Sequence, residues 1–174
     1  MVPADADRAG AWVNLVQAHR VIQAALEERL EAGTGLSWPE LEALMRLAIS
    51  PGGRLKMIEI ADQLLASKSG VTRLVDRLVA IGLIAREIPS DNRRVTYGRI
   101  TEAGLAALAS GRAIFLAGLE DAFSRHLSDQ EVDQLRRILR RLLEGNGAWE
   151  AHRCLPAFDE PDRAGAVAAP DTAG

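Results

Sequence analysis

Cysteine is almost absent. Cys154 is the only one in 174 residues, so no disulfide can form within the chain. Aromatic residues are scarce at 4%. Leu, Ile, Val and Ala must therefore fill the core, which favours packed helices over a β-sandwich. No apolar run approaches the ~20 residues of a membrane span, and no N-terminal stretch joins basic residues, an apolar run and a small-residue cleavage site. The expectation is a soluble, cytoplasmic chain with no membrane partner. His19, His126 and His152 have no Cys or carboxylate partners at metal-ligand spacing. There is no Gly-rich phosphate loop and no nucleophile elbow. Catalysis, a metal and a cofactor are therefore not expected. Residues 145–174 are rich in Ala, Gly, Pro and acid and show no periodicity, so they are read as disordered, with Cys154 an incidental thiol within them.

What is present is unevenly placed. The formal net charge is −3. Residues 54–101 nevertheless hold nine Lys/Arg against five Asp/Glu, while residues 145–174 hold two against five. A basic centre inside an acidic chain is the distribution expected of a protein that meets a polyanion.

Helical periodicity dominates. Trp12, Leu15, Val16, His19, Ile22, Leu26 and Leu30 mark a long first helix, about Ala9–Ala32. Ser37-Trp38-Pro39-Glu40 reads as a capping box with proline in the first turn. The helix that it opens stops near Ser-Pro-Gly-Gly at 50–53. A short strand at Leu55–Met57 and a short helix at Ile58–Leu64 follow. The next helix starts at Ser67, with Val71, Leu74, Val75, Leu78 and Ile81 as its buried stripe and Gly82 after its last turn. Leu83–Ile88 and Val95–Ile100 are β-prone runs around the loop Pro89–Arg94, a hairpin pattern. Thr101 caps a long helix carrying Leu105, Leu108, Arg112, Phe115, Leu119 and Phe123. Ser128-Asp129-Gln130-Glu131 opens a last one carrying Val132, Leu135, Ile138, Leu139 and Leu142.

Short helix, turn, second helix and two-stranded hairpin is the order of a winged helix-turn-helix. A recognition helix needs a polar N-terminal half, because that end enters the major groove. Ser67, Lys68, Ser69, Thr72 and Arg73 supply hydroxyls and cations there, and Arg77 follows one turn later. Arg73 and Ser69 are expected nearest to base edges, and Lys68, Thr72 and Arg77 on phosphates. Asn92, Arg93 and Arg94 stand at the hairpin tip, where arginine can enter a minor groove. Paired arginines on a helix are more often a solvated face, bonded to carboxylates such as Asp76. The arginine-tipped hairpin downstream shifts the balance towards DNA.

The stretches LSWPELEALMRLA, IEIADQLLASKSGVTRLVDRLVAIGLIARE and DNRRVTYGRITEAG resemble the MarR family of bacterial transcription regulators. The last resembles the family's wing pattern, Asp-x-Arg followed by a strand and Leu-Thr-x-x-Gly. Arg94 falls on the wing arginine. Asn92 stands where the family has aspartate, with Asp91 one residue earlier. The resemblance spans roughly residues 9–144. It implies a mainly α fold with a small β-wing, in which a winged helix-turn-helix at 36–101 is joined to a helical dimerisation region formed by 1–35 and 102–144. It also implies a homodimer that reads a pseudo-palindromic duplex as a repressor-type regulator. The apolar extent of the three long helices agrees with a two-fold partner. A small aromatic or phenolic effector is implied too, and Trp12, His19, Trp38 and Met45 are the residues that would line its crevice. The rival expectation is a winged-helix protein–protein module that has lost DNA binding; Arg73, Arg77, Arg93 and Arg94 argue against it.

Overall fold

The computed structural model describes residues 3–64, 67–89 and 95–148, without the side chains of 3–6 and 68. In chain order these form α1 (Pro3–Thr34), α2 (Trp38–Ile49), β1 (Arg54–Lys56), α3 (Met57–Gln63), α4 (Lys68–Ala80), β2 (Ile84–Glu87), β3 (Tyr97–Ile100), α5 (Glu102–Ala122) and α6 (Asp129–Gly145). Short 3-10 turns follow α2 and α5. The mainly α fold with a small β-wing is therefore as expected.

Helix starts follow local chemistry. At α2 the Glu40 carboxylate accepts from the Ser37 backbone N–H at 2.8 Å and from its hydroxyl at 2.9 Å. Ser67 Oγ accepts from the Gly70 N–H at 3.1 Å, Thr101 Oγ1 from Gly104 at 3.0 Å, and Glu131 from the Ser128 N–H at 2.8 Å. Each side chain satisfies an N–H, or is held by one, where helical bonding has not yet begun. Gly82, at φ +77°, takes the left-handed turn that leaves α4 for β2.

The sheet has three strands rather than a bare hairpin. β3 lies between β1 and β2, antiparallel to both, with Leu55 opposite Gly98 and Ile84 opposite Ile100. Its inner face joins α2, α3 and α4 in one core. Leu44, Leu47, Ile60, Val75 and Leu78 are fully buried there, and Leu36, Val71 and Ile84 nearly so. Ile81 corrects the expected stripe. It is 50% exposed and caps α4 instead of lying within it, while Leu78 in the last turn stays fully buried. Arg46 is a further surprise, a charged residue 3% exposed that pairs with Glu42 at 3.2 Å.

α5 threads through the fold. Gly104, Gly111 and Gly118 recur every seventh residue and all are buried. A Cβ on Gly111 would lie 2.6 Å from Leu41 Cδ1, and one on Gly118 would lie 2.9 Å from Leu26 Cδ2. Glycine is what lets α1 and α2 approach this closely. Phe115, between these glycines, stacks on Trp38 of α2 with centroids 4.5 Å apart. Arg29 of α1 donates to Asp121 of α5 at 2.6 Å.

By length and composition alone residues Glu102–His126 are apolar enough to cross a membrane, but Arg112, Glu120, Asp121 and Arg125 interrupt them, so they hold no apolar run of ~20 residues. One expectation needs correction. The end of α6 lies later than expected. Gly147 N–H donates to Glu144 O at 3.1 Å and Ala148 N–H to Leu143 O at 2.8 Å, closing the helix inside the segment read as disordered. The rest of that segment, with Cys154, lies outside the described residues.

Candidate nucleic-acid interface

The N-terminal half of α4 is built to show a polar face. Val71, Val75 and Leu78 are 1% exposed or less and fix the helix on the core. The opposite side carries Ser69, Thr72, Arg73, Asp76 and Arg77, all exposed. The Ser67 and Ser69 hydroxyls lie 3.2 Å apart across the first turn. Lys68 takes the first helical position, and its side chain lies outside the described part. No carboxylate among the described residues pairs with Arg73.

Two residues of that face, Arg77 and Asp76, are tied to other elements. Asp76 is not spent on Arg73 or Arg77, its neighbours on α4; its carboxylate lies 2.6 Å from the Arg86 guanidinium on β2. Arg77 Nη1 lies 3.2 Å from Glu40 Oε1, and its Nη2 donates to the Gly35 carbonyl at 2.9 Å. Neither contact was legible in sequence. Glu40 was visible only as a local cap, and its partner is 37 residues away in the chain.

β2 and β3 run side by side from Ile84–Ile100 to Glu87–Tyr97, which puts the connection between them beyond the Glu87–Tyr97 end. Asn92, Arg93 and Arg94 belong to that connection and lie outside the described residues. The base of the wing is cationic and cross-tied. Arg99 Nε donates to Glu87, and Arg54 Nη1 lies 3.5 Å from the same carboxylate. Arg54 also lies over the Tyr97 ring at 5.0 Å. The hydrogen bond from Arg99 holds the Glu87 carboxyl below the usual glutamate value; burial opposes it, and the charge of Arg99 and then Arg54 add to the lowering. Arg54, Arg86 and Arg99 were not expected at the site; β1 joining the sheet brings Arg54 there.

The four residues expected around an effector divide between core and surface. Met45 is buried and Trp38 half-buried on Phe115, whereas Trp12 is 65% exposed and His19 exposed on α1. Among the described residues no cluster of His, Cys, Asp and Glu could hold a metal ion.

The arrangement has relatives. Residues 34–94 match the sequence model of the MarR family. The HTH-type transcriptional regulator MhqR of Bacillus subtilis (strain 168) is 31% identical over 84 residues, 48% of this chain and 57% of that protein, so the match spans little more than half of the relative. The HTH-type transcriptional repressor YetL of the same bacterium is 30% identical over 120 residues, 67% of this chain and 70% of that protein. Sco3205, a MarR family transcriptional regulator from Streptomyces coelicolor solved in complex with DNA, is 23% identical; it aligns with a TM-score of 0.75 over 86% of this chain and 93% of its own, a likeness of fold. With the motif region, the winged core and an extended relative in agreement, the chain belongs to the MarR family of winged helix-turn-helix transcription regulators.

Proposed function

We propose that this regulator is a cytoplasmic homodimer that represses transcription by binding a pseudo-palindromic operator. The observation that carries the reading is the first turn and a half of α4. It is anchored by Val71 and Val75, and it presents Ser69, Thr72 and an Arg73 that no described carboxylate neutralises. Ser67, Lys68, Ser69, Thr72 and Arg73 meet the major groove. Asn92, Arg93 and Arg94 serve the adjacent backbone or minor groove. The DNA complex of Sco3205 and the repressor name of YetL support the reading. Its domain organisation is a winged unit at 36–101 carried on a dimerisation region from 1–35 and 102–144.

The dimer reading rests on unburied apolar surface. α6 buries none of its residues, although Val132, Leu135, Ile138, Leu139 and Leu142 line one side of it. Trp12, Val13 and Val21 of α1 and Leu116 of α5 are exposed as well. A second copy would cover such a surface. The effector reading is that a small aromatic anion enters beside Trp38 and Met45 and acts by preferring one splay of the two reading heads; Trp12 and His19 stand roughly 22 Å or more up α1 from its Thr34 end, too far to touch the same small molecule in one protomer. The Trp38–Phe115 stack supports the reading in that it sets an aromatic surface between α2 and α5.

The deciding experiment is selection of bound duplexes from a random pool by the full chain. Recovered sequences should share two inverted half-sites about one helical turn apart, and binding should weaken steeply with salt. A protein–protein module would recover nothing. Benzoates and hydroxybenzoates that neither shift the melting temperature nor weaken DNA binding would remove the effector from the proposal.

A further inference from the structure

We propose that Arg77 touches no DNA and instead sets the angle of the recognition helix against the α1–α2 junction. The proposal rests on the DNA-binding role given above. Arg77 lies on the same outward side of α4 as Arg73, and its position in sequence suggests a phosphate contact. Its guanidinium is occupied elsewhere. Two of its nitrogens face one rigid receptor, Nη1 at 3.2 Å from Glu40 and Nη2 at 2.9 Å from the Gly35 carbonyl.

That receptor is assembled before Arg77 reaches it. Glu40 is 3% exposed, and its Oε2 is committed to the N–H and hydroxyl of Ser37. Only Oε1 is left, and Arg77 meets it. Gly35, at φ +70°, turns the chain out of α1; its own N–H is held by Glu31 O at 2.8 Å, and the Leu36 N–H, in the same peptide plane as the Gly35 carbonyl, donates to Thr34 Oγ1 at 3.1 Å, which aims that carbonyl. A planar two-pronged cation on a fixed carboxylate and a fixed carbonyl defines an angle as well as a distance. Swinging Arg77 to a phosphate would strand a buried carboxylate without its counter-charge, which is unfavourable.

The neighbouring residue ties the other flank, since Asp76 holds Arg86 of β2. Consecutive positions thus secure the middle of α4 to two bodies, the α1–α2 turn and the wing. Rotation of α4 about its axis decides which base edges Ser69 and Arg73 reach. Arg77 should therefore govern discrimination between sequences, while general attraction to DNA stays the same.

The test uses the full-length protein, the duplex recovered by random-pool selection and a scrambled duplex of equal length. Arg77→Ala should weaken the selected duplex by roughly tenfold, and the scrambled one by no more than about twofold. Its log–log salt slope should stay that of the wild type. Glu40→Gln keeps an oxygen for Ser37 but removes a negative charge. Electrostatics alone would make it bind DNA more tightly; positioning requires weaker binding to the selected duplex. The double variant should bind no worse than Arg77→Ala. A fall of about one in the salt slope for Arg77→Ala, with equal losses on both duplexes, would make Arg77 a phosphate contact and overturn the proposal. Tighter or unchanged binding by Glu40→Gln would overturn it too, and Glu40→Gln decides alone if Arg77→Ala does not fold. A wild type that selects no duplex would sink the DNA-binding reading itself, an outcome distinct from either of these.

Discussion

The Asp76 carboxylate of α4 lies 2.6 Å from the Arg86 guanidinium of β2, bridging recognition helix and wing. Both side chains are substantially exposed, so water screens the pair and it adds little stability. Asp76→Ala should change the unfolding free energy by less than about 1 kcal/mol. The variant should nevertheless bind a scrambled duplex more tightly, because it loses a negative charge and releases Arg86. Urea unfolding and a duplex titration read the two effects separately.

Arg73→Ala should weaken operator binding by about 1–3 kcal/mol and relax preference at one base position. Arg94→Ala should weaken all duplexes alike, by roughly 1–2 kcal/mol, and flatten the salt dependence. An Arg73→Ala protein with unchanged affinity and sequence preference would mean that another face of α4 reads DNA.

The wing base should respond to acid. Arg99 and Arg54 hold the Glu87 carboxyl below its usual value. A carboxylate so lowered stabilises the fold above the unfolded-state value, and that stabilisation is lost as pH falls through the folded value. Between about pH 5 and pH 3 the wild type should therefore lose stability, and Glu87→Gln should lose less over the same interval. Asp121 is lowered by Arg29, and Glu131 by the Ser128 cap, so some acid sensitivity should remain in the variant. Thermal melts across that range provide the comparison.

Two glycine replacements should act in opposite directions. A Cβ on Gly104 would stand 2.2 Å from the Leu83 carbonyl oxygen, a backbone atom that cannot step aside. Gly104→Ala should cost roughly 1–3 kcal/mol. At Gly10 in α1 a Cβ meets nothing within 4 Å, so Gly10→Ala should stabilise the helix by about 0.5–1 kcal/mol. Chemical denaturation of both variants tests the pair.

Leu142→Arg puts a charge on the open apolar side of α6, where Leu142 is 49% exposed. Sedimentation should show a dimer for the wild type and a monomer for the variant, with operator affinity reduced. A wild type that stays monomeric at micromolar concentration would end the dimer proposal.

The sequence showed most where structure depends on near neighbours. Ser37, Ser67, Thr101 and Ser128 announce helix starts because a cap and its N–H lie within three residues. The buried positions of α4 were readable up to Leu78, where periodicity and packing coincide. Ile81 continued the period beyond the end of the helix, where it is the C-cap, and spacing alone does not show where a helix stops. β1 was foreseen as a strand, but its pairing with β3 sets Arg54 beside Arg99, 45 positions along the chain. The same limit hid Arg77: charge and exposure suggested a phosphate, while its partners, Glu40 and Gly35, are joined to it only by the fold. Arg46 was hidden for another reason, since it lies inside the core beside Leu44 and Leu47 and interrupts the apolar pattern there.

The three glycines of α5 meet different parts of the molecule in turn. Gly104 meets the Leu83 carbonyl between α4 and β2, Gly111 meets Leu41 of α2 and Leu30 of α1, and Gly118 meets Leu26 of α1. One uninterrupted helix, Glu102–Ala122, therefore runs like a camshaft past the winged unit and α1 alike. In the proposed dimer a roll of α5 by a few degrees would shift all of these contacts together, so the spacing of the two heads would follow the setting of this one helix.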